Sequence, residues 1–368
     1  MKTFATLFPF LRPEHIDKDV GKIPSLLAKR GYDSMLVGIE RDGVSYPKMT
    51  MKLGLLKPGG LRGHLEMNVL SFLQSQSAKI DVLNLYHLRR DTIFYGQWYK
   101  KHNPQGLLYL KMDSYNEELQ RGVRYSSNFF KNLYFKFHAN KFLKAADLVS
   151  VENKEGLSLL KRSYPKHAQK MIYLPNGVEK RLIQKGSKKP VILSVGRMDD
   201  PVKNYDLLLD VIPQLDNDDY SFVLIGRGHE ERAEQFFSAY PEMRNRVTFM
   251  GPIRDRKKLF AQYAKASIYV QPSLHESFGL AMAEALCHGC YLVGTTGMSA
   301  FSDLSNDGEY GICIDPHEPE SLKKALQSLI TKRKGGIPDP QSVATFGKEQ
   351  FVWETIADKL AEEIELRL

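Results

Sequence analysis

Gln271-Pro272-Ser273-Leu274-His275-Glu276-Ser277-Phe278-Gly279-Leu280-Ala281-Met282-Ala283-Glu284-Ala285-Leu286 is the stretch whose reading decides the fold. The apolar run Ile268–Gln271 before it reads as a strand that breaks at a Pro-Ser turn. A loop containing Gly279 follows, and the apolar tail predicts a helix with Glu284 in its early turns. Such a junction leaves unpaired backbone N–H groups at the positive end of a helix, an anion site suited to a diphosphate. Ser277, Phe278, Gly279 and Leu280 provide that amide cluster, and Glu276 and Glu284 lie on either side of it. Carboxylates facing a phosphate would repel it, so the pair addresses hydroxyls, one set on a sugar and the other on a ribose. Taken alone, two such glutamates read as structural, Glu276 capping the helix start and Glu284 pairing on its surface.

Working outward, strand-length apolar runs alternate with helical patterns, the signature of parallel sheets wrapped by helices. In the first half the strands are Thr3–Phe8, Ser34–Val37, Val82–Tyr86, Leu107–Met112 and Leu148–Val151, with Leu65, Val69, Phe72 and Leu73 on one helical face. The second half has Val191–Val195, Ser221–Ile225, Val247–Met250, Ile268–Gln271, Tyr291–Gly294 and Gly311–Ile314, with helices over Tyr205–Leu215 and Pro319–Ile330. The polar, basic run Arg181–Lys189 reads as the linker. These patterns predict an α/β chain of two doubly wound domains with a ligand cleft between them.

The 368 residues suit two domains, and 42% hydrophobic with 26% charged residues is ordinary globular composition. Three cysteines, Cys287, Cys290 and Cys313, give no disulfide framework and point to a reducing compartment. The N-terminus has no signal-peptide pattern and no long apolar run follows, so the expectation is a cytoplasmic, non-spanning protein. Residues 1–180 hold 29 basic and 16 acidic side chains, a net +13, whereas the remaining 23 and 27 give −4. A basic half-chain fits an anionic membrane leaflet or an acidic substrate. Nucleic acid is disfavoured, because no Cys/His metal framework or RNA-binding aromatic motif occurs.

The spacing Glu276-x7-Glu284 around Ser-Phe-Gly-Leu resembles the donor-site motif of the retaining GT-B glycosyltransferases of family 4. Val195-Gly196-Arg197 followed by Lys203 is similar to that family's Gly-Arg…Lys element, whose cations hold the sugar-nucleotide phosphates. Phe222–Gly228, with Gly226 and Arg227, resembles the next strand and glycine turn. Val247–Ile253 resembles the strand whose end, here Pro252 and Ile253, touches the nucleobase. Leu174-Pro175-Asn176-Gly177-Val178 resembles the element that closes the first domain. The resemblance implies GT-B architecture: two Rossmann-like domains, 1–180 for the acceptor and 190–342 for the nucleotide sugar. A terminal segment, 343–368, in which Phe351-Val352-Trp353-Glu354 opens a helix, crosses back to the first. Arg197 and Lys203 also make sense physically, since fixed cations stabilise the charge developing on a departing diphosphate. A surface ion pair of Arg197 with Asp199 or Asp200 is the bland alternative.

The first half resembles the family less. His87, after Asp81–Tyr86, corresponds to a cleft histidine contacting acceptor or transferred sugar. Asp113 occupies another cleft-edge position on the acceptor side. Where the family carries a Gly-Gly pair, Ile16–Lys22 holds Gly21 alone as the N-terminal diphosphate contact.

Other motifs are set aside. Gly226-Arg-Gly-His-Glu-Glu231 lacks the third glycine of a dinucleotide fingerprint. Cys287-His288-Gly289-Cys290 has no second cysteine pair and reads as packing, with Gly289 as a helix cap. Asp17-Lys18-Asp19 and Asp216-Asn217-Asp218 imitate an Asp-x-Asp metal signature, but Arg197 and Lys203 already provide the charge, so no essential metal and no cofactor are expected. The aromatic, basic run Ser127–Lys144 suits either a lipid interface or a helix packed on its own sheet with its lysines outward.

The reading is a retaining glycosyltransferase moving a hexose from a nucleotide sugar, UDP-linked in preference to GDP-linked, to a carbohydrate or lipid-linked acceptor in glycan biosynthesis. Its catalytic candidates are Glu276, His87, Arg197 and Lys203. The rivals are a sucrose- or trehalose-type synthase or phosphorylase and a silent sugar-nucleotide-binding partner.

Overall fold

A computed structural model describes residues 1–62, 65–113, 116, 119, 128–216, 219–331 and 337–368. Ser127 of the aromatic run, and Asn217 and Asp218 of the second acidic triplet, lie outside the described residues.

Contacts divide the chain into two compact units, Met1–Asn176 with Trp353–Leu368, and Gly177–Val352. The first unit contains β1 (Thr3–Leu7), α1 (Asp19–Ala28), β2 (Asp33–Ile39), β3 (Lys52–Leu56), β4 (Leu61–Arg62), β5 (Leu65–Glu66), α2 (Met67–Gln76), β6 (Val82–Tyr86), α3 (Arg90–His102), β7 (Leu107–Met112), α4 (Phe129–Ala145), β8 (Leu148–Val151), α5 (Lys154–Ser163) and β9 (Met171–Tyr173). The second contains β10 (Lys189–Val195), α6 (Tyr205–Val211), β11 (Ser221–Ile225), α7 (His229–Ala239), β12 (Val247–Met250), α8 (Arg256–Lys265), β13 (Ala266–Val270), α9 (Leu280–Cys287), β14 (Tyr291–Thr295), α10 (Phe301–Leu304), β15 (Gly311–Ile314), α11 (Pro319–Thr331) and α12 (Pro340–Gln350). The final helix, α13 (Trp353–Glu365), returns to the first unit.

Each unit is built on a parallel sheet, ordered β3-β2-β1-β6-β7-β8-β9 in the first and β12-β11-β10-β13-β14-β15 in the second. The central strands are apolar on both faces because helices cover both. In the first unit Leu83, Leu108, Leu110 and Val149 pack under Val69, Leu73, Ile93, Tyr99 and Phe142. The opposite face sets Phe4, Val82, Leu107 and Tyr109 against Ile23 and Leu27 of α1 and Trp353, Ile356, Leu360 and Ile364 of α13. In the second unit Ile192, Phe222, Leu224 and Val293 meet Leu208, Leu322 and Leu326 on one side. Leu193, Tyr269 and Leu292 meet Phe260, Tyr263, Met282 and Leu286 on the other. The chain is thus α/β, each unit a Rossmann-like doubly wound domain. Strand order reverses between β1 and β6 and between β10 and β13, and at such points ligands bind beyond the carboxyl ends of the strands.

The structure differs from the sequence reading in places. Edge strands β3 and β9 escape the pattern, being short and only partly buried. The helix expected over Tyr205–Leu215 ends as α-helix at Val211 and tightens to a 3-10 turn over Ile212–Gln214, because Pro213 has no N–H to continue the ladder. Residues 181–189 lie within the second unit: Leu182 and Ile183 pack on its core and the Gln184 amide bonds Nε2 of His288 at 3.2 Å. Helix α12 also lies there, with Val343 in the same core, so that unit runs past residue 342.

Candidate active site

In the second unit the candidate donor residues follow the carboxyl ends of β10, β11, β12 and β13. Gly196 ends β10, its amide bonded to the carbonyl of Ile225 at 2.9 Å. Gly226 ends β11, where an added Cβ would fall 1.6 Å from the Gly196 carbonyl oxygen, so only glycine lets the two turns touch. Arg197 and Arg227 project from these turns, largely exposed, and pair with Asp200 and Asp199 respectively. Pairing with Asp200 is the bland partner considered for Arg197; its exposure leaves the guanidinium accessible. Pro252 is exposed and Ile253 half-buried beyond β12.

Lys203 sits in the 3-10 turn Pro201–Lys203, which Asp200 caps by accepting from the Val202 amide at 3.1 Å. Its ammonium ion-pairs with Glu276, both side chains about four-fifths buried. The same carboxylate accepts from Gln271 Nε2 at 3.0 Å, and Tyr269 donates to Gln271 Oε1 at 3.1 Å. The Glu276 backbone is held as an isolated bridge to Met298. Gly279, at φ +87°, turns the chain into α9 in a conformation that a side chain disfavours. Among the described residues no backbone carbonyl takes the amides of Ser277, Phe278 or Gly279, and Leu280 opens the helix. The arrangement combines cations, amides and a helix N-terminus near one carboxylate, chemistry suited to a diphosphate carrying a polyol.

Glu284 is buried on α9 and ion-pairs with Arg256 of α8, whose guanidinium also lies 4.7 Å from the Phe260 ring. Burial raises the Glu284 pKa, and Arg256 opposes that rise. The backbone carbonyl of Glu284 accepts from Nδ1 of His288 at 2.6 Å while Nε2 accepts the Gln184 amide, fixing one neutral tautomer. Burial pushes His288 down to about 4. Gly289 and Cys290 return their amides to Leu286 and Ala285, closing α9 in a Schellman motif with Gly289 at φ +80°. Cys287 and Cys290 are wholly buried in the core beside it.

In the first unit His87 follows β6 with φ +59°, a left-handed backbone that costs a non-glycine residue about 1–3 kcal/mol and is concentrated at functional sites. Its amide bonds the Lys111 carbonyl at 2.9 Å, and Nδ1 donates to the Asp113 carbonyl at 3.0 Å, leaving Nε2 as an acceptor. Gly21 has a packing explanation: its amide is engaged by the Lys18 carbonyl at 3.1 Å, and a Cβ would meet the Ile16 carbonyl oxygen at 2.3 Å. The sequence reading missed the groups beneath His87. Lys111 and Glu152 are fully buried and Asp19 nearly so, with Lys111 Nζ 3.7 Å from Asp19 and Glu152 accepting from Asn176 at 2.7 Å. Glu152 also hydrogen-bonds the Asp113 carboxyl, and burial foremost, then Asp113, raises its pKa well above normal. The only sequence signal was a lysine inside the apolar run Leu107–Met112 and an acid closing Leu148–Val151.

Residues 189–332 match the family model described as glycosyl transferases group 1. The relatives that match parts of the chain are glycosyltransferases. A phosphatidyl-myo-inositol mannosyltransferase of Mycobacterium leprae (strain TN) is 31% identical over 142 residues, 38% of this chain and 37% of that protein. An N-acetylgalactosamine-N,N'-diacetylbacillosaminyl-diphospho-undecaprenol 4-alpha-N-acetylgalactosaminyltransferase of Campylobacter jejuni is 26% identical over 225 residues, 60% of each chain. The matches thus span roughly two to three fifths of the length of these relatives. Among solved structures, Anabaena HepE in complex with UDP superposes over the whole of both chains with a TM-score of 0.76 at 16% identity.

Proposed function

We propose that the protein is a retaining glycosyltransferase of family 4 that transfers a hexose from a nucleotide sugar, UDP-linked in preference to GDP-linked, to a carbohydrate or lipid-linked acceptor. The observation that carries this reading is the Lys203–Glu276 pair beside the open amides of Ser277, Phe278 and Gly279 at the switch point of the second unit. In it Arg197 and Lys203 neutralise the diphosphate, Arg227 assists at the neighbouring turn, and Gly196, Gly226 and Leu280 let backbone approach it. Glu276 takes hydroxyls of the transferred sugar, Glu284 those of the ribose with Arg256 orienting its carboxylate, and Pro252 and Ile253 face the base. The strongest stabilisation falls where charge develops, on the leaving diphosphate. The acceptor hydroxyl attacks from the face the nucleotide leaves, a donor phosphate oxygen taking its proton. His87 and Asp113 hold the acceptor. No metal is required in this scheme, the two cations supplying the charge.

We further propose that an anionic membrane is the surface on which the enzyme works. Among the described residues no helix is long and apolar enough to span a bilayer. Helix α4, capped by Asn128, buries Phe135, Ala139, Phe142 and Leu143 against its own sheet. Its other face exposes Phe130 (78%), Leu133 (57%), Tyr134 (50%) and Phe137 (66%) at i, i+3, i+4 and i+7. Lys131, Lys136, Lys141 and Lys144 are exposed along the same helix. A second apolar stripe edged with cations fits a lipid interface, which favours a lipid-linked acceptor over the free sugars of a sucrose- or trehalose-type enzyme.

The test is a donor-hydrolysis screen with UDP-, GDP- and ADP-sugars, which needs no known acceptor, with the anomer of the released sugar read by NMR. Turnover of UDP-hexose with retention is expected. Tight nucleotide binding without hydrolysis of any donor would leave the silent-partner reading in its place.

A further inference from the structure

The switch point of the first unit encloses a cavity of about 280 Å³ between the chain leaving β1 and the chain leaving β6. Its wall includes Phe8, Phe10, His15, Tyr86, His87 and Arg89. Phe8 meets His15 and Tyr86 edge-on at 5.1 and 5.5 Å, forming a fixed aromatic floor. Phe10 is 54% exposed although it lines the cavity, so an apolar ring face is open to a ligand. The two imidazoles have opposite hydrogen-bonding character. His15 Nδ1 accepts the Arg12 amide at 3.1 Å, so the neutral ring carries its proton on Nε2 and donates there. His87 donates through Nδ1 to the Asp113 carbonyl and accepts at Nε2. Exposed Arg89 immediately precedes α3 at the same wall, with Asp91 in the first turn of that helix. Lys18, Arg12 and Arg41 stand within electrostatic reach of His15, as does Glu14.

We infer that this cavity takes a hydroxylated six-membered ring bearing an anionic substituent: the ring lies on Phe8 and Phe10, its hydroxyls bridge His15, His87 and Asp91, and its anionic group meets the Arg89 guanidinium. An aromatic floor suits the C–H face of such a ring, a donor and an acceptor suit vicinal hydroxyls, and a guanidinium suits a phosphate or carboxylate. Naming this ligand the acceptor rests on the glycosyl-transfer reading; the binding itself does not.

The test is titration of the full chain by ligand-observed NMR and calorimetry with glucose 6-phosphate, mannose 6-phosphate and myo-inositol 1-phosphate. The neutral counterparts, inorganic phosphate and UDP form the control arms. At least one phosphorylated ring should bind about tenfold or more tightly than both its neutral form and inorganic phosphate, as a charge-assisted contact implies. Arg89→Gln should erase the preference over the neutral ring, and Phe10→Ala should weaken both forms alike, with UDP affinity unchanged in each. Short-chain phosphatidylinositol displaces the probe if the ring is a lipid headgroup and leaves it bound if the ligand is soluble; either result upholds the cavity. No phosphorylated ring outbinding its neutral form, or inorganic phosphate binding as tightly, overturns it, as does indifference to both substitutions. If UDP fails to bind while a phosphorylated ring binds, the transferase reading falls and the cavity stands.

Discussion

Lys203, in the turn after β10, ion-pairs with Glu276 beyond β13, so one contact joins the loops that leave the two strands between which the strand order of the second sheet reverses. With its charge partly balanced by Glu276, Lys203 can meet an incoming diphosphate without first being stripped of bulk water. Lys203→Ala and Arg197→Ala should each lower kcat by about 10²-fold or more, because their effect grows as the leaving group gains charge. Chelator should leave wild-type turnover largely intact. Complete loss in chelator with rescue by Mn²⁺ contradicts the scheme, as does a rise in KM alone in both variants.

Glu284 and Arg256 separate binding from stability. Glu284→Ala should weaken UDP binding by roughly 1.5–3 kcal/mol, the worth of a charge-assisted hydrogen bond. Arg256→Ala strands the buried carboxylate instead and should lower the stability of the second unit by about 3 kcal/mol or more. Calorimetry showing wild-type UDP affinity in Glu284→Ala removes the ribose role.

His288 gives a pH dependence. Its folded pKa of about 4 lies below the ordinary 6.5, so on acidification the unfolded chain takes up a proton before the folded one does. Lys188 and Lys348 reinforce the burial that depresses it. Stability is retained above pH 6.5 and falls as pH drops toward 4, with about 2 kcal/mol lost from this group between pH 7 and pH 5. Urea unfolding of wild type and His288→Gln at both pH values checks this; equal slopes would show that the ring is not held neutral.

Helix α4 predicts a salt-sensitive membrane interaction. Wild-type protein should co-sediment with liposomes containing anionic lipid, less so at high salt, each cation near the surface contributing about 1 kcal/mol. Changing Lys131, Lys136, Lys141 and Lys144 to glutamate should abolish binding. Phe130→Ser with Phe137→Ser should weaken it while leaving the salt dependence in place. Protein remaining in the supernatant under every condition speaks for a soluble acceptor.

The interior strands were legible because a parallel strand covered on both faces is an uninterrupted apolar run: Val82–Tyr86, Leu107–Met112 and Leu148–Val151 appear in the fold with the limits read from sequence. Edge strand β3, with Gly54 at its centre, had no such run. Arg197, Lys203 and Glu276 were singled out by resemblance, and in the fold they lie in the turns after β10 and β13. The partnership of Glu284 with Arg256 could not, since it joins two helices that only the folded sheet brings together. Lys111, Asp19 and Glu152 were hidden for a related reason: one charged residue per strand or helix end has no periodicity, and its meaning comes from burial beside the others.

The placement of α13 has a consequence for biosynthesis. The second unit is one uninterrupted stretch, complete once residue 352 has been made, whereas the first begins at Met1 and lacks part of its core until Trp353, Ile356, Leu360 and Ile364 arrive. The segment translated first therefore waits longest for its final packing. Until the residues after 352 have left the ribosome, the face formed by Phe4, Leu27 and Tyr109 stays uncovered, a surface that chaperones recognise.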